Sequence, residues 1–302
     1  MSSAAPAARV ESPAPPVGSR VLQLDILRGL AILLVLGIHS PSARGESGLL
    51  RPLDALSHQF GWTGVDLFFV LSGFLIGGLL FSEIKKYGRL DIGRFLTRRM
   101  MRIWPAYYAL LIFAVARITY ESGSFAKAWS SMWPAFFHIQ NFIECPRDQL
   151  WSLAVEEHFY IALPVFLWFV TRTGKPRDAI PAVPIACAVL SVSCILLRIV
   201  LVFTTDIDVR LHTDLSFDAL FFGVNLAYLR AYRPELLQAI VKRRRLIMAF
   251  AWLLFIPAVV NSGALRRTIG YTGVYLAYAL YLVCFVLGEP GKLAKRWLSS
   301  SP

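Results

Sequence analysis

Apolar residues run along this chain in long, nearly unbroken stretches, each closed by a cluster of Arg or Lys, Gly or Pro. A helix needs roughly 20 mostly apolar residues to cross a bilayer at about 1.5 Å rise per residue. The pattern predicts eight such spans, at residues 22–40, 60–82, 103–119, 151–170, 180–203, 211–229, 246–262 and 269–288. The alternating ten-residue strands of a membrane barrel do not occur, so the expected fold class is all-α, a polytopic membrane helical bundle. "WSSMWPAFFHIQNF", residues 129–142, is too short to cross and contains Pro134, which predicts an interfacial or re-entrant segment. The first 20 residues, "MSSAAPAARVESPAPPVGSR", are small, polar and Pro-rich, and predict a disordered cytoplasmic tail. No small-residue cleavage pattern follows the first span, which is therefore expected to stay as an anchor.

Composition agrees with the pattern. Hydrophobic residues make up 56% and charged residues 17% of the 302, and mean hydropathy is +0.57, which excludes an ordinary water-soluble domain. The net charge of +12 matters through its distribution. "KKYGRLDIGRFLTRRMMR" carries Lys85, Lys86, Arg89, Arg94, Arg98, Arg99 and Arg102 and predicts a cytoplasmic loop. Counting from it puts both termini inside and residues 41–59, 120–150 and the "TTDIDVR" turn outside. Arg172, Lys175, Arg177, Arg230, Arg233, Lys242 to Arg245, Lys292, Lys295 and Arg296 then fall inside. Such basic loops are topology signals, and no nucleic acid partner is expected. Cys145, Cys187, Cys194 and Cys284 show no CxxC or His-rich spacing, so neither a disulfide framework nor a metal site is predicted.

Ionisable residues inside spans cost roughly 2.5 to 3.5 kcal/mol each on insertion scales, so they report a bundle interior. Arg28 and His39 are eleven residues apart, which leaves them about 20° apart in azimuth and roughly 16 Å apart in depth. Asp25 lies one turn before Arg28 on the same face. Asp66 enters the second span near its outer end, beside Ser72, Gly73, Gly77 and Gly78, which permit close helix approach. Glu156, Glu157 and His158 enter the outer half of another span, and His212, Asp214 and Asp218 lie toward the outer side of the next but one. These groups are expected to converge on one interior, where a carboxylate could orient an imidazole acting as general base. Packing is the competing reading for each. A lone membrane His is more often a hydrogen-bonded packing group, Glu156 reads equally as glue between helices, and Asp66, Asp214 and Asp218 lean structural. His58, His138, His158 and His212 have weaker claims than His39.

Four strings, "LDILRGLAILLVLGIHS", "GVDLFFVLSGFLI", "RFLTRRMMRIWPAYY" and "LWSLAVEEHFYIALP", resemble the acyltransferase 3 family of membrane acyltransferases, in the family's order and over roughly residues 20–288. The resemblance implies one acyltransferase domain over residues 21–302. It further implies transfer of an acyl group, often acetyl, from cytoplasmic acyl-CoA to a hydroxyl of a saccharide or other cell-envelope acceptor, in a bacterial inner membrane. The family's Arg-x10-His motif maps onto Arg28 and His39, with His39 as the general base. Its arginine motif maps onto Arg98, Arg99 and Arg102, which with Arg28 would hold the donor's phosphates through paired guanidinium contacts. Its acid maps onto Glu156, with Asp66 as a second carboxylate able to serve His39. Asp25, Asp218, Trp151 and Tyr160 would support the site.

Two departures accompany the resemblance. Where members read "THLRxDxL" this chain reads "TDLSFDAL", with Asp214 and Ser216 replacing His and Arg and Asp218 retained. Members usually carry ten spans, so eight predicts that the last pair is missing and that any periplasmic partner domain would be a separate chain. Two other readings compete: a transporter or flippase of acyl groups or saccharides, and an inactive, truncated paralogue.

Overall fold

The computed structural model describes residues 22–39, 51–143, 145, 148–172, 180–259 and 263–286. The tail at 1–20, residues 41–50 of the expected outer loop, and Lys175, Arg177, Lys292, Lys295 and Arg296 lie outside the described residues. The described residues are helices joined by turns, with no strand. In chain order they form α1 (Leu22–His39), α2 (Arg51–Phe60), α3 (Thr63–Tyr87), α4 (Ile92–Ser122), α5 (Phe125–Phe136), α6 (Trp151–Arg172), α7 (Ala182–Thr204), α8 (Phe217–Tyr232), α9 (Pro234–Lys242), α10 (Arg244–Leu253), α11 (Ile256–Val259) and α12 (Gly263–Val286). The helices α1, α3, α4, α6, α7 and α12 are long and apolar enough to cross a membrane.

Two of the eight expected spans are not among these six. The stretch 211–229 starts its helix only at Phe217, because Thr213–Leu215 form a 3-10 turn. The stretch 246–262 is broken at Leu254 and Phe255 into α10 and α11. Pro257 sits in the first turn of α11, and its missing N–H cannot continue the ladder from α10. The third expected span is longer than its apolar core: α4 begins at Ile92, is capped by Asp91, whose side chain accepts from the Arg94 backbone N–H, and takes in the whole arginine motif.

The core is built around α3, whose most extensive contact is with α8. Gly73 and Gly223 allow it. A side chain on Gly73 would run into the backbone of Leu220, and one on Gly223 into the backbone of Val70 and Phe74. Gly77 faces Val224 and Ala227 in the same contact, whereas Gly78 faces open space. Close approach therefore belongs to one stripe of α3, from Gly73 to Gly77, one turn apart at small-residue spacing. On the opposite side, Gly64 admits Ala31, Leu34 and Val35 of α1.

The second cluster of buried side chains lies between α4 and α5. Gly123, at φ 69°, ends α4 and turns the chain; the Ser124 side chain caps α5 by accepting from Lys127 N–H. At 12 residues α5 is too short to cross a bilayer. It folds back along α4 until the Ala135 carbonyl accepts from the Tyr107 hydroxyl at 2.7 Å.

Candidate active site

Glu156 and Tyr160 are one turn apart on α6, so their side chains leave the same face. Ser72 precedes Gly73, the glycine at the α3–α8 crossing. The Ser72 hydroxyl donates to Glu156 Oε1 at 2.8 Å, and the Tyr160 hydroxyl donates to Oε2 at 2.6 Å. All three side chains are buried. A buried carboxylate is tolerable only with such donors, because desolvation without them costs several kcal/mol. The Arg99 guanidinium lies over the Tyr160 ring, 4.1 Å from its centroid. Its Nε is buried with no hydrogen-bond partner among the described residues. A cavity of about 50 Å³ opens here, lined by Arg28, Phe68, Leu71, Ser72, Leu75, Ile76 and Arg99.

The arginine motif is thereby divided. Arg98 and Arg102 share one exposed face of α4, four residues apart, while Arg99, rotated about 100° from Arg98, turns inward. Arg28 reaches the same cavity from α1 and pairs with Asp25 at 3.5 Å.

A second polar cluster lies at the N-terminal end of α3. Asp66 accepts from Arg210 at 3.0 Å. The Arg210 guanidinium sits among three rings, 4.7 Å from Trp62, 4.8 Å from Tyr271 and 5.6 Å from Trp151. Asp218 is paired with Arg198 of α7 and also accepts from the Ala219 N–H. These groups line a void of about 10 Å³, room for about one water. Arg198 and Arg210 were missed in the sequence. The signal for Arg198 was present, a lone cation inside the apolar run "ILLRIVLVF". Arg210 sits in the turn between α7 and α8 and gave none.

The expected single convergence of His, carboxylates and Arg is corrected to two separate clusters, with His39 outside both. His39 ends α1 with its side chain exposed, eleven residues beyond Arg28 and so about 16 Å further along the axis. Glu156 is engaged by Ser72 and Tyr160, and Asp66 by Arg210, so neither carboxylate lies against that imidazole. Trp151 packs edge-on against Phe69, 5.8 Å between centroids, and walls the Asp66 cluster. Asp214 lies 3.9 Å from His212 in a half-exposed pair.

Next to Glu156, the chain turns Glu157 toward α4. The Trp104 Nε1–H donates to Glu157 Oε2 at 3.4 Å, and the Arg99 charge acts on both carboxylates. Trp104 stacks on His138 (6.2 Å, 28°), and Tyr107 stacks more closely on it (4.6 Å, 18°). His138 has a left-handed backbone at φ 58°, a region His visits more readily than most residues but at a cost of about 1–3 kcal/mol. Burial, helped by the nearby His158 imidazole, pushes the His138 imidazole down to about 4.

A family model described as an acyltransferase domain, acyltransferase 3, matches residues 21–301. The O-acetyltransferase OatA of Staphylococcus aureus is 29% identical over 92% of this chain and 47% of its own length. A putative O-acetyltransferase of Staphylococcus aureus strain COL, SACOL0978, is 30% identical over 68% of this chain and 34% of its own. The chain thus spans about half the length, or less, of these curated relatives. No solved structure matches it.

Proposed function

The chain belongs to the acyltransferase 3 family, and from that premise we propose that it is a multi-pass enzyme of a bacterial inner membrane that moves an acetyl group from acetyl-CoA to a hydroxyl of a saccharide or cell-envelope glycan. Residues 21–301 act as one acyltransferase domain. The observation that carries this reading is the cavity between Arg28 and Arg99, two guanidinium groups held inside a membrane bundle against the Ser72–Glu156–Tyr160 network. Arg28 has Asp25 as its partner, whereas the buried Arg99 Nε has none among the described residues, and a cation so placed is rare without an anionic or strongly polar occupant.

The donor, as substrate, carries phosphates suited to guanidinium forks. Arg98 and Arg102, exposed on the cytoplasmic half of α4, receive its nucleotide end. Arg99 and Arg28 then line the route of its extended arm through the bundle. At the thioester, the acceptor oxygen forms a bond to the acetyl carbon as its proton passes to a base. The carbon–sulfur bond breaks, and the CoA sulfur leaves with a proton. His39, at the outer end of the α1 stripe, is the base in this reading. Since neither Glu156 nor Asp66 abuts it here, the imidazole is completed by groups brought to the outer end of α1 when substrates bind. Glu156 positions Tyr160 and, through its ring, Arg99.

The test is transfer of radiolabelled acetyl from acetyl-CoA to glycans in membranes carrying the full chain. Wild type is expected to label glycan, His39→Ala to lose at least a hundredfold in rate, and Glu156→Gln about tenfold or more. Labelling that survives His39→Ala would remove His39 as the base. Passage of acetyl groups or saccharide across the membrane with no covalent product would replace the reading with transport.

A further inference from the structure

Of the six long helices α3 is the most buried, yet one stripe of it is left open. Leu79, at 54%, and Tyr87 are its only large apolar side chains exposed among the described residues, and Leu75 is half-buried. At about 100° per residue, Phe68, Leu75, Leu79 and Lys86 fall within roughly 40° of one another, and Phe68 and Lys86 are five turns, roughly 27 Å, apart. Phe68 and Leu75 line the cavity that Arg28 of α1 and Arg99 of α4 enclose. The stripe therefore continues from that cavity, past Leu79, to Lys86 at the C-terminal end of α3. It forms the apolar floor of a groove with a cation at its open end.

The chain reverses at Gly88, and the Asp91 N–H donates to Glu83 Oε1 at 2.9 Å, which pins the start of α4 within a turn of Lys86. From there α4 runs back along α3 until Arg99 and Ser72 share the cavity. Arg98 lies seven residues beyond Asp91, about two turns or roughly 10 Å deeper. Side chains lean toward the N-terminus of their own helix. Lys86 is thereby aimed toward the cavity and Arg98 back toward the loop, so the antiparallel pair turns the two cations toward each other. Lys86, Arg98 and Arg102 are exposed and have no ion-pair partner among the described residues, whereas Arg28, Arg117, Arg198 and Arg210 each have one. The Lys86 ammonium rests on the Tyr87 ring, 5.0 Å from its centroid, on a flexible stem that can swing without moving the helix. Its neighbour Lys85 is engaged elsewhere, donating to the Ala231 carbonyl at the end of α8 and lying over Tyr232.

A ligand that fits this arrangement carries phosphates in two places and a long arm. Coenzyme A has that form, with a diphosphate, a separate 3′-phosphate and the pantetheine arm. The diphosphate suits the guanidinium forks of Arg98 and Arg102, and an isolated phosphate monoester suits the point charge of an ammonium. We infer that Lys86 recognises the 3′-phosphate of the acyl-CoA donor, with Leu75 and Leu79 flooring the groove along which the donor lies. Lys86 is then a specificity-determining residue that separates CoA thioesters from thioesters lacking that phosphate. The inference rests on the acyl-CoA reading for its donor, and on the open stripe of α3 for its place.

The experiment is equilibrium binding of acetyl-CoA and of acetyl-3′-dephospho-CoA to the full chain in nanodiscs of zwitterionic lipid. Wild type is expected to hold acetyl-CoA about tenfold or more tighter, the difference that one charged hydrogen-bonded contact makes. Lys86→Gln is expected to shrink that ratio to about twofold or less by weakening acetyl-CoA alone, and Lys86→Arg, which keeps the charge, to retain most of it. Lys85→Gln is expected to leave the ratio as in wild type. Leu79→Trp changes an exposed side chain on which folding does not depend, and is expected to weaken both ligands alike by filling the groove. No effect of Leu79→Trp would overturn the groove. No preference in wild type, or a ratio unchanged in Lys86→Gln, would overturn the assignment of Lys86 and leave the acyl-CoA reading standing. Equal weakening of both ligands by Lys86→Gln would do the same, placing Lys86 on lipid headgroup phosphates. Binding of neither ligand to wild type would retire the acyl-CoA reading, and the inference with it.

Discussion

Arg99 shows what a single side chain decides here. Within one motif it alone is stacked on Tyr160 and turned to the bundle, while Arg98 and Arg102 stay on the exposed face. Lysine at that position would keep the charge but lose the flat ring contact and the paired donors. Arg99→Lys is therefore expected to weaken acetyl-CoA binding about tenfold, and Arg98→Lys by much less, in equilibrium binding to nanodisc-embedded protein. His138 makes a different demand. Its folded imidazole is held near 4 against an ordinary 6.5. Between those values the unfolded chain takes up a proton that the folded chain does not. Stability from this group is full above the ordinary value and falls as pH drops from 6.5 toward 4. Thermal unfolding of His138→Phe is expected to show a shallower loss than wild type over that window.

At the level of elements, the α3–α8 contact fixes the helix that carries Ser72, which meets Glu156 of α6 from the residue next to Gly73. Adding a methyl group at Gly73 or Gly223 meets backbone rather than a movable side chain. Gly73→Ala and Gly223→Ala are expected to cost about 1–3 kcal/mol by overpacking and to lower the unfolding temperature in detergent together with acetyl transfer. Gly78 meets nothing within 4 Å. Gly78→Ala is expected to be neutral or to gain up to about 1 kcal/mol from helix propensity. A matched loss at all three positions would show that general glycine content, not the crossing, matters.

For the molecule as a whole, the two buried ion pairs tie distant parts of the chain together. Asp66 and Arg210 are 144 residues apart, and Arg198 and Asp218, both almost fully buried, join α7 to α8. Deleting one partner leaves a buried charge unpaired, at about 3–5 kcal/mol, whereas removing both leaves none. Arg198→Met is expected to reduce the yield of folded protein sharply on size-exclusion chromatography, and Arg198→Met with Asp218→Leu to recover much of it. Failure of the double variant to recover would mean that Asp218 also serves Ala219 or the neighbouring void in a way the pair does not explain.

What could be read from the sequence follows from costs that act residue by residue. Long apolar runs must be helices in a bilayer, so the all-α class, α1, α3, α6, α7 and the body of α4 were legible, as was the inability of the segment around Pro134 to cross. The breaks at Pro257 and at Thr213–Leu215 were legible only in part, since hydropathy averages over a single turn. The four strings that resemble the acyltransferase 3 family also marked Arg28, Arg99, Glu156 and Tyr160 as residues to watch. Which of them meet was a tertiary matter. Ser72 of α3 finds Glu156 of α6 across 84 residues, and His39 stands apart because α1 carries it about 16 Å beyond Arg28. His138 gained its interest only from what surrounds it, the rings of Trp104 and Tyr107. One-dimensional pattern determined which segments are helices long and apolar enough to cross a membrane; packing of sequence-distant segments decided which polar atoms are satisfied and which are left open.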